Sequence, residues 1–163
     1  MEHPQNYQLR HIQPSDVRLV LKLVESLSPG TLYFRFGRMN HPVLSEADVA
    51  KICAPDLAFM IGYVAVKNIN GAAHLLGLGR IERHREQPHA EFVIVVGDAW
   101  QGHGIGKQLM LKLIEEAYAW NVTRLYGETL PSNHGMHAFC EHLGFKRCVS
   151  TTKPGLIRMQ IDF

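Results

Sequence analysis

The stretch Ala90-Glu91-Phe92-Val93-Ile94-Val95-Val96-Gly97-Asp98-Ala99-Trp100-Gln101-Gly102-His103-Gly104-Ile105-Gly106-Lys107 decides how the chain is read. The unbroken apolar run from Phe92 to Val96 suits a strand buried on both faces. A short loop and a glycine-rich turn follow, and then the start of a long amphipathic helix. Glycines at 102, 104 and 106 let the main chain curl without Cβ clashes, so successive N–H groups can converge on one anion. The helix adds its unpaired first-turn N–H groups and the positive end of its dipole. Together these make a phosphate seat.

Spacing narrows the kind of seat. A dinucleotide fingerprint counted from Gly102 and Gly104 needs its third glycine where Lys107 stands. A nucleoside-triphosphate loop needs glycine where Gln101 stands and Ser or Thr where Gln108 stands. Both patterns fail. Gln-x-x-Gly-x-Gly fits, at Gln101, Gly104 and Gly106, directly after a buried strand. The plain alternative is an ordinary tight strand-to-helix connection.

Outward from this stretch, the elements follow in order. Tyr7 to Ile12 alternates as a first strand. Pro14-Ser15-Asp16 opens a helix that Ser15 can cap, with Val17, Val20, Leu21, Val24 and Leu27 on one face; Ser28-Pro29-Gly30 stops it. Thr31 to Phe36 reads as a short helix or turn, and Ser45-x-x-Asp48 as a capping box before a helix ending near Cys53. Leu57 to Val66 is an apolar strand, Asn70-Gly71 a type I′ hairpin turn, and Ala73 to about Arg83 the return strand. The central strand from His89 completes an antiparallel meander.

After the glycine turn, a helix from Ile105 to Trp120 points Leu109, Met110, Leu113, Ile114, Ala117 and Tyr118 inward, with Asn121 as its C-cap. Thr123 to Leu130 is the next strand, and the pair should form a right-handed parallel β-α-β unit with the glycine turn at its C-terminal edge. Asn133 to Leu143 is a shorter helix. Phe145 to Thr152 and Leu156 to Phe163 close the chain as a hairpin around Pro154-Gly155.

The chain of 163 residues suits one domain, 1–163, with an ample core. A net charge of +2 gives no basic field for nucleic acid, and no apolar run is long enough to span a membrane. Met1 to Leu9 lacks a signal-peptide layout, and Cys53, Cys140 and Cys148 are widely spaced, so the expected setting is the cytoplasm with reduced thiols. His134, His137 and Cys140 share a predicted helix, but a zinc site wants convergent ligands with a second shell, and none is evident; no metal is expected.

The Gln101-x-x-Gly104-x-Gly106 pattern resembles the acetyl-coenzyme-A pyrophosphate loop of the GNAT N-acetyltransferases. The order β-α-α-β-β-β-α-β-α-β-β is similar to that fold along nearly the whole chain. Asn133, Met136, Cys140 and Gly144-Phe145 repeat the spacing of the family's Asn-x-x-Ala-x-x-x-Tyr-x-x-x-Gly-Phe segment. Within the family, the chain is most similar to the acetyltransferase domain of the bacterial protein-lysine acetyltransferases, through Leu27-Ser28-Pro29 with Tyr33 and Arg35, Ala90-Glu91-Phe92, Asp98-Ala99-Trp100-Gln101-Gly102, Gly127-Glu128-Thr129-Leu130 and Asn133-x-x-Met136. Those relatives carry a large acyl-CoA-synthetase-like region that this sequence does not contain, so their acceptor is not carried over. The expected fold is therefore α/β (α+β), a mixed, mostly antiparallel sheet with one parallel unit carrying the acetyl-CoA loop.

The resemblance implies direct acetyl transfer from acetyl-CoA to a primary amine, a protein lysine among the candidates. A small-molecule amine acetyltransferase and a catalytically silent CoA-binding module are the alternatives. Glu91 is the candidate base, at the mouth of the strand and on the face opposite Phe92; the relatives' matching glutamate has that role. A strand-end carboxylate paired with Arg80 or Arg83 is the structural alternative, and Glu128 is a reserve base, better read as structural. The main chain of Ile94, Val95 and Val96 should meet the pantetheine amides, and Gln101, Gly102, His103, Gly104, Ile105, Gly106 and Lys107 the pyrophosphate. Asn133, Phe139 and Cys140 line the family's pantetheine arm. Cys140 stands where many relatives place a tyrosine acid, and a packed structural thiol is its better role. Tyr33, Phe34 and Phe36 read as core, and the closing hairpin as a possible dimer contact by analogy.

Overall fold

The computed structural model describes residues 6–36 and 44–163. Met1–Gln5, part of the N-terminal stretch read above, lies outside them. In chain order the elements are β1 (Gln8–His11), α1 (Val17–Glu25), α2 (Pro29–Phe36), α3 (Glu46–Cys53), β2 (Met60–Ile69), β3 (Ala72–Arg83), β4 (His89–Val96), α4 (Ile105–Ala119), β5 (Arg124–Thr129), α5 (His134–His142), β6 (Lys146–Val149) and β7 (Ile157–Asp162). The strands form one seven-stranded sheet in the order β1-β2-β3-β4-β5-β7-β6. Only β4 and β5 run parallel; the other neighbours are antiparallel. The mixed, mostly antiparallel sheet and its parallel unit agree with the sequence.

Local chemistry sets the element ends. Asn70 and Gly71 take φ of 52° and 81°, the left-handed pair of a type I′ turn. The Ser45 hydroxyl accepts from the Asp48 N–H at 3.1 Å and opens α3. Asn121, at φ 59°, stands just past α4 in the same left-handed region.

Three expectations need correction. The buried stripe leading through α1 is Asp16, Val20, Leu23 and Leu27, with Val17 and Leu21 packed against it partly buried, so Leu23 and not Val24 is the further inward anchor. Ser15 makes no cap; the Asp16 carboxylate accepts from the Gln13 N–H at 2.7 Å and pairs with both Arg10 nitrogens at 2.8 Å, which is why this acid is tolerated inside. Tyr118 lies at the outer edge of the α4 stripe and is 70% exposed, its ring set against Phe163.

Two apolar layers sandwich the sheet. On one face α4 supplies Ile105, Leu109, Met110, Leu113 and Ala117, packed on Leu76, Ile81, Phe92, Ile94, Leu125 and Met159. On the other, α1 and α3 close over Val64, Leu75 and Leu78, joined by Leu32 of α2. Side chains of β4 alternate between the two layers, which places Glu91 on the α1–α3 side, with Val93 and Val95.

The β4–β5 pairing covers only His89↔Arg124, Ala90↔Leu125 and Glu91↔Tyr126. Beyond that point β4 continues beside β3 to Val96, while β5 continues beside β7 to Thr129. The two parallel strands therefore part company into a wedge. Phe92 helps to set it: a Cβ at Gly127 would sit 2.5–2.8 Å from three Phe92 ring atoms, so the ring lies directly on the glycine. Phe145 meets the same ring edge-on at 5.4 Å between centroids.

Helix α2 is fastened to the loop after β4. Asp98 accepts from the Ser28 N–H (2.8 Å), the Ser28 hydroxyl (2.7 Å) and the Thr31 hydroxyl (2.9 Å). Partial burial alone would raise the Asp98 carboxyl, but the hydrogen bonds from Ser28 and Thr31 prevail and hold it below the usual carboxylate range.

Two outcomes follow from this packing. Gly127→Ala should cost about 1–3 kcal/mol and lower the thermal midpoint, and adding Phe92→Leu should recover part of the loss in a double-mutant cycle. Asp98→Ala should cost about 1 kcal/mol at most, because solvent competes at this exposed site, and should speed amide exchange at the start of α2. A lowered folded pKa makes the Asp98 contribution complete at neutral pH and lost as pH falls through the carboxylate range. The midpoint gap between parent and variant should thus narrow as the solution is acidified through the carboxylate range.

Candidate active site

Strand alternation decides which main-chain groups the wedge exposes. The Gly97 N–H points toward β3 and donates to the Leu76 carbonyl at 2.8 Å. The groups of Phe92, Ile94 and Val96 then face the other way, into the wedge, whereas those of Val95 turn toward β3. The Val96 carbonyl accepts from the Gln101 side-chain amide at 3.0 Å, and the same nitrogen donates to the Thr31 hydroxyl at 3.3 Å. The Phe92 carbonyl and the Ile94 peptide group lie past the last β4–β5 pair and face the wedge along one wall, in the arrangement by which a strand accepts an extended amide-bearing ligand.

At the wide end of the wedge the loop curls as its glycines allow. Gly102 and Gly104 have φ of 77° and 85°, and nothing lies within 4 Å of where their Cβ atoms would stand. Gly106 does not share that conformation. It belongs to the first turn of α4, and a Cβ there would meet Phe139 and Val96 at 3.6 Å, an ordinary contact. The first bond of the helix runs from the Gln108 N–H to the Gly104 carbonyl at 3.1 Å, so the N–H groups of Ile105, Gly106 and Lys107 have no partner within the helix. The Ile105 side chain is buried beneath them, while Gln101, His103 and Lys107 are exposed around the rim. This is a nest of N–H donors under open space, with the Lys107 ammonium beside it, and it suits a diphosphate.

At the narrow end stands Glu91. Its cross-strand neighbour is Glu82, not an arginine. Arg80 pairs with Glu82 at 3.7 Å, and Arg83 lies over the Trp120 ring at 5.5 Å, so neither is the partner that the structural alternative supplied. The cation beside Glu91 is Lys153, from the turn between β6 and β7, with Nζ 3.7 Å from Oε1. The Glu91 side chain keeps 32% of its surface exposed and the Lys153 side chain 56%, so the pair opens to solvent. Arg35, in the last turn of α2, comes from above. Burial first, then the like charge of Arg80, lowers its guanidinium from the ordinary arginine range, and Glu91 partly offsets both.

Polar groups behind Glu91 are tied up. Glu128 and Arg158 form a buried ion pair at 2.9 Å, with 4% and 9% of their side chains exposed. The second Glu128 oxygen has no hydrogen-bond partner among the described residues. The Arg158 guanidinium covers the Tyr126 ring at 4.0 Å, and the Tyr126 hydroxyl meets His84 Nε2 at 2.6 Å. Burial, then the charge of Glu91, pushes the Tyr126 phenol up to about 12.

Helix α5 forms the opposite wall. The Asn133 side chain accepts from the Met136 N–H at 3.3 Å and caps the helix. Phe139 packs on the core beside Gly106. Cys140 is fully buried in that core, and burial pushes its thiol up to about 12, where it stays protonated and unreactive. His137 is buried on the same helix and meets the Thr129 hydroxyl at 2.7 Å. Among the described residues no group of three or more His, Cys, Asp or Glu is placed to hold a metal ion. No helix there is long and apolar enough to cross a membrane. Tyr33 and Phe34, read as core, are 37% and 42% exposed on α2.

Lys153, Asp98 and Thr31 are the contributors that sequence reading missed. A lysine in a Thr-Thr-Lys-Pro-Gly turn carries no local signal of the strand it will meet. Asp98 had one weak signal, an acid directly before the loop.

Residues 36–145 match the sequence model of the acetyltransferase (GNAT) family, about two thirds of the chain. An acetyltransferase of Pseudomonas aeruginosa is 26% identical over 138 residues, covering 84% of this chain and 73% of its own length. Acetyltransferase Pat of Mycolicibacterium smegmatis is 29% identical over 138 residues; the match takes in 85% of this chain but 40% of that protein. The crystal structure of the GNAT domain of S. lividans PAT superposes with a TM-score of 0.83 at 23% identity, covering 96% of this chain and 90% of that one. With the wedge, the curled loop and the sheet order all in place, the chain belongs to the GNAT family and is an N-acetyltransferase that takes its acyl group from acetyl-CoA.

Proposed function

We propose that the enzyme transfers the acetyl group directly to a primary amine, with Glu91 as general base, and that the amine is a protein lysine. The observation that carries this reading is the position of Glu91, at the last paired residue before β4 and β5 separate. The resemblance to bacterial protein-lysine acetyltransferases, and the similarity to proteins named Pat, favour a lysine side chain over a free small amine.

The chemistry sets the tasks. An amine near its ordinary pKa of about 10.4 is neutral in roughly one molecule in 2,500 at pH 7, a handicap of about 4.6 kcal/mol. Holding two reactants in register supplies on the order of 7–11 kcal/mol, so positioning is the larger contribution and deprotonation the smaller. The curled loop fixes the diphosphate, and the Phe92 carbonyl and the Ile94 peptide group, which face the wedge, hold the pantetheine amides. Glu91 accepts the ammonium proton. A wedge-facing main-chain N–H then stabilises the oxyanion formed when the amine attacks the thioester. Cys140 cannot supply the family's tyrosine acid. The departing thiolate tolerates this, since a thiol ionises near 8.5, about two units below the amine.

Incubation with acetyl-CoA and a panel of lysine peptides, polyamines and amino acids, with free CoA measured, tests the reading. Turnover only of the small amines would make the enzyme a small-molecule acetyltransferase, and no turnover at all would leave a silent CoA-binding module. Glu91→Gln should lower kcat/KM by about 10²–10⁴-fold and abolish the pH dependence due to the base, while calorimetric binding of acetyl-CoA persists. Gly104→Ala places a Cβ at φ 85°, a strain of about 1–2 kcal/mol. It should weaken acetyl-CoA binding by roughly 5–30-fold in calorimetry and leave kcat at saturation nearly unchanged.

A further inference from the structure

We propose that Lys153 is a self-acetylation site: its ε-amine occupies the place of the acceptor and receives the acetyl group from the enzyme's own bound acetyl-CoA. The proposal rests on Glu91 being the base, as read above. The reaction needs a lysine nitrogen against the Glu91 carboxylate, and the fold already brings one there, 3.7 Å away. Among the described residues, no other lysine is paired with Glu91.

The geometry around this contact fits a substrate better than a structural pair. The main chain of Lys153 is anchored in a tight turn. Its N–H donates to the Ser150 hydroxyl at 3.0 Å, its carbonyl accepts from the Leu156 N–H at 3.2 Å, and Gly155 turns the chain at φ 83°. The side chain beyond that anchor is more than half exposed and makes one loose ion pair, longer than a hydrogen bond. A fixed root with a free end gives a high effective concentration at the carboxylate without immobilising the nitrogen. The other cation facing Glu91, Arg35, is a guanidinium group and does not act as an acyl acceptor.

The step balances without any further reagent. Glu91 takes one proton from the Lys153 ammonium and passes it to solvent. The neutral nitrogen attacks the thioester carbon; the N–C bond forms and the C–S bond breaks. The second proton leaves the nitrogen and ends on sulfur, so the products are acetyl-Lys153, CoA and one proton. The product amide carries no charge, which removes the Lys153–Glu91 ion pair and leaves a neutral group at the mouth of the wedge.

The test uses the purified chain, isotope-labelled acetyl-CoA and peptide mass mapping over time. Label is expected at Lys153 before any other lysine, at a rate per molecule that does not change when the protein is diluted about tenfold, as an intramolecular reaction requires. Glu91→Gln should slow this labelling by about a hundredfold. Lys153→Arg should reduce early label incorporation to the level of Glu91→Gln, and a retained thermal shift with acetyl-CoA will show both variants folded. Label spread evenly over exposed lysines, label at Lys153 that Glu91→Gln does not slow, or a rate that rises with protein concentration would each overturn the proposal. If the amine panel is acetylated in a Glu91-dependent way and Lys153 stays unlabelled, self-acetylation fails and the function stands. If the panel reaction ignores Glu91→Gln, the base assignment fails and this proposal fails with it.

Discussion

The structure depends on two parallel strands that pair for three residues and then separate. Peptide groups left without a partner inside a protein are costly, and nearly all of them find one. Here the fold leaves a row of them open along β4, between a wall held by β3 and a wall held by β7. Phe92 lies across Gly127 like a wedge in a split log, so the strands cannot zip further without displacing an aromatic ring from the core. The open peptides are satisfied by water or by an extended amide-bearing ligand, and the second option is the cofactor arm of the family to which the chain belongs.

The two ends of the split carry opposite electrostatics. Loop N–H groups and the α4 terminus make the wide end attractive to anions, while Glu91 makes the narrow end attractive to an ammonium group. Helix α2 spans the two. Its first turn is clasped by Asp98 and touched by Gln101, and its last turn carries Arg35 toward Glu91. One helix of eight residues therefore connects the cofactor loop to the acceptor side.

Elements governed by local chemistry were legible in the sequence. The Asn70-Gly71 turn, the Ser45 cap, the apolar run of β4 and the glycine loop each declare themselves within a few residues, because their causes are local φ preferences and hydrogen bonds. Where partners come from far along the chain, legibility ended. On a smaller scale, the acid buried at the start of α1, Asp16, is held by Arg10 of β1, which a purely apolar stripe does not foresee. Tyr118 continues the α4 pattern in sequence but projects past the edge of the sheet, and Tyr33 and Phe34 are exposed because α2 packs through Leu32. Glu91 could be placed on its face from alternation alone. Its neighbour could not, because Lys153 arrives from a turn more than sixty residues later.

The sheet order has a bearing on how the chain comes to be assembled. Strand β7, which follows β6 in the chain, is not at the margin; it lies between β5 and β6. Until Ile157–Asp162 have left the ribosome, β5 has no outer neighbour, Arg158 is missing beneath Glu128, and the second wall of the split has nothing to hold it in place. A nascent chain already containing the whole glycine loop would thus still lack a usable cleft, and its maturation would wait on Ile157–Asp162.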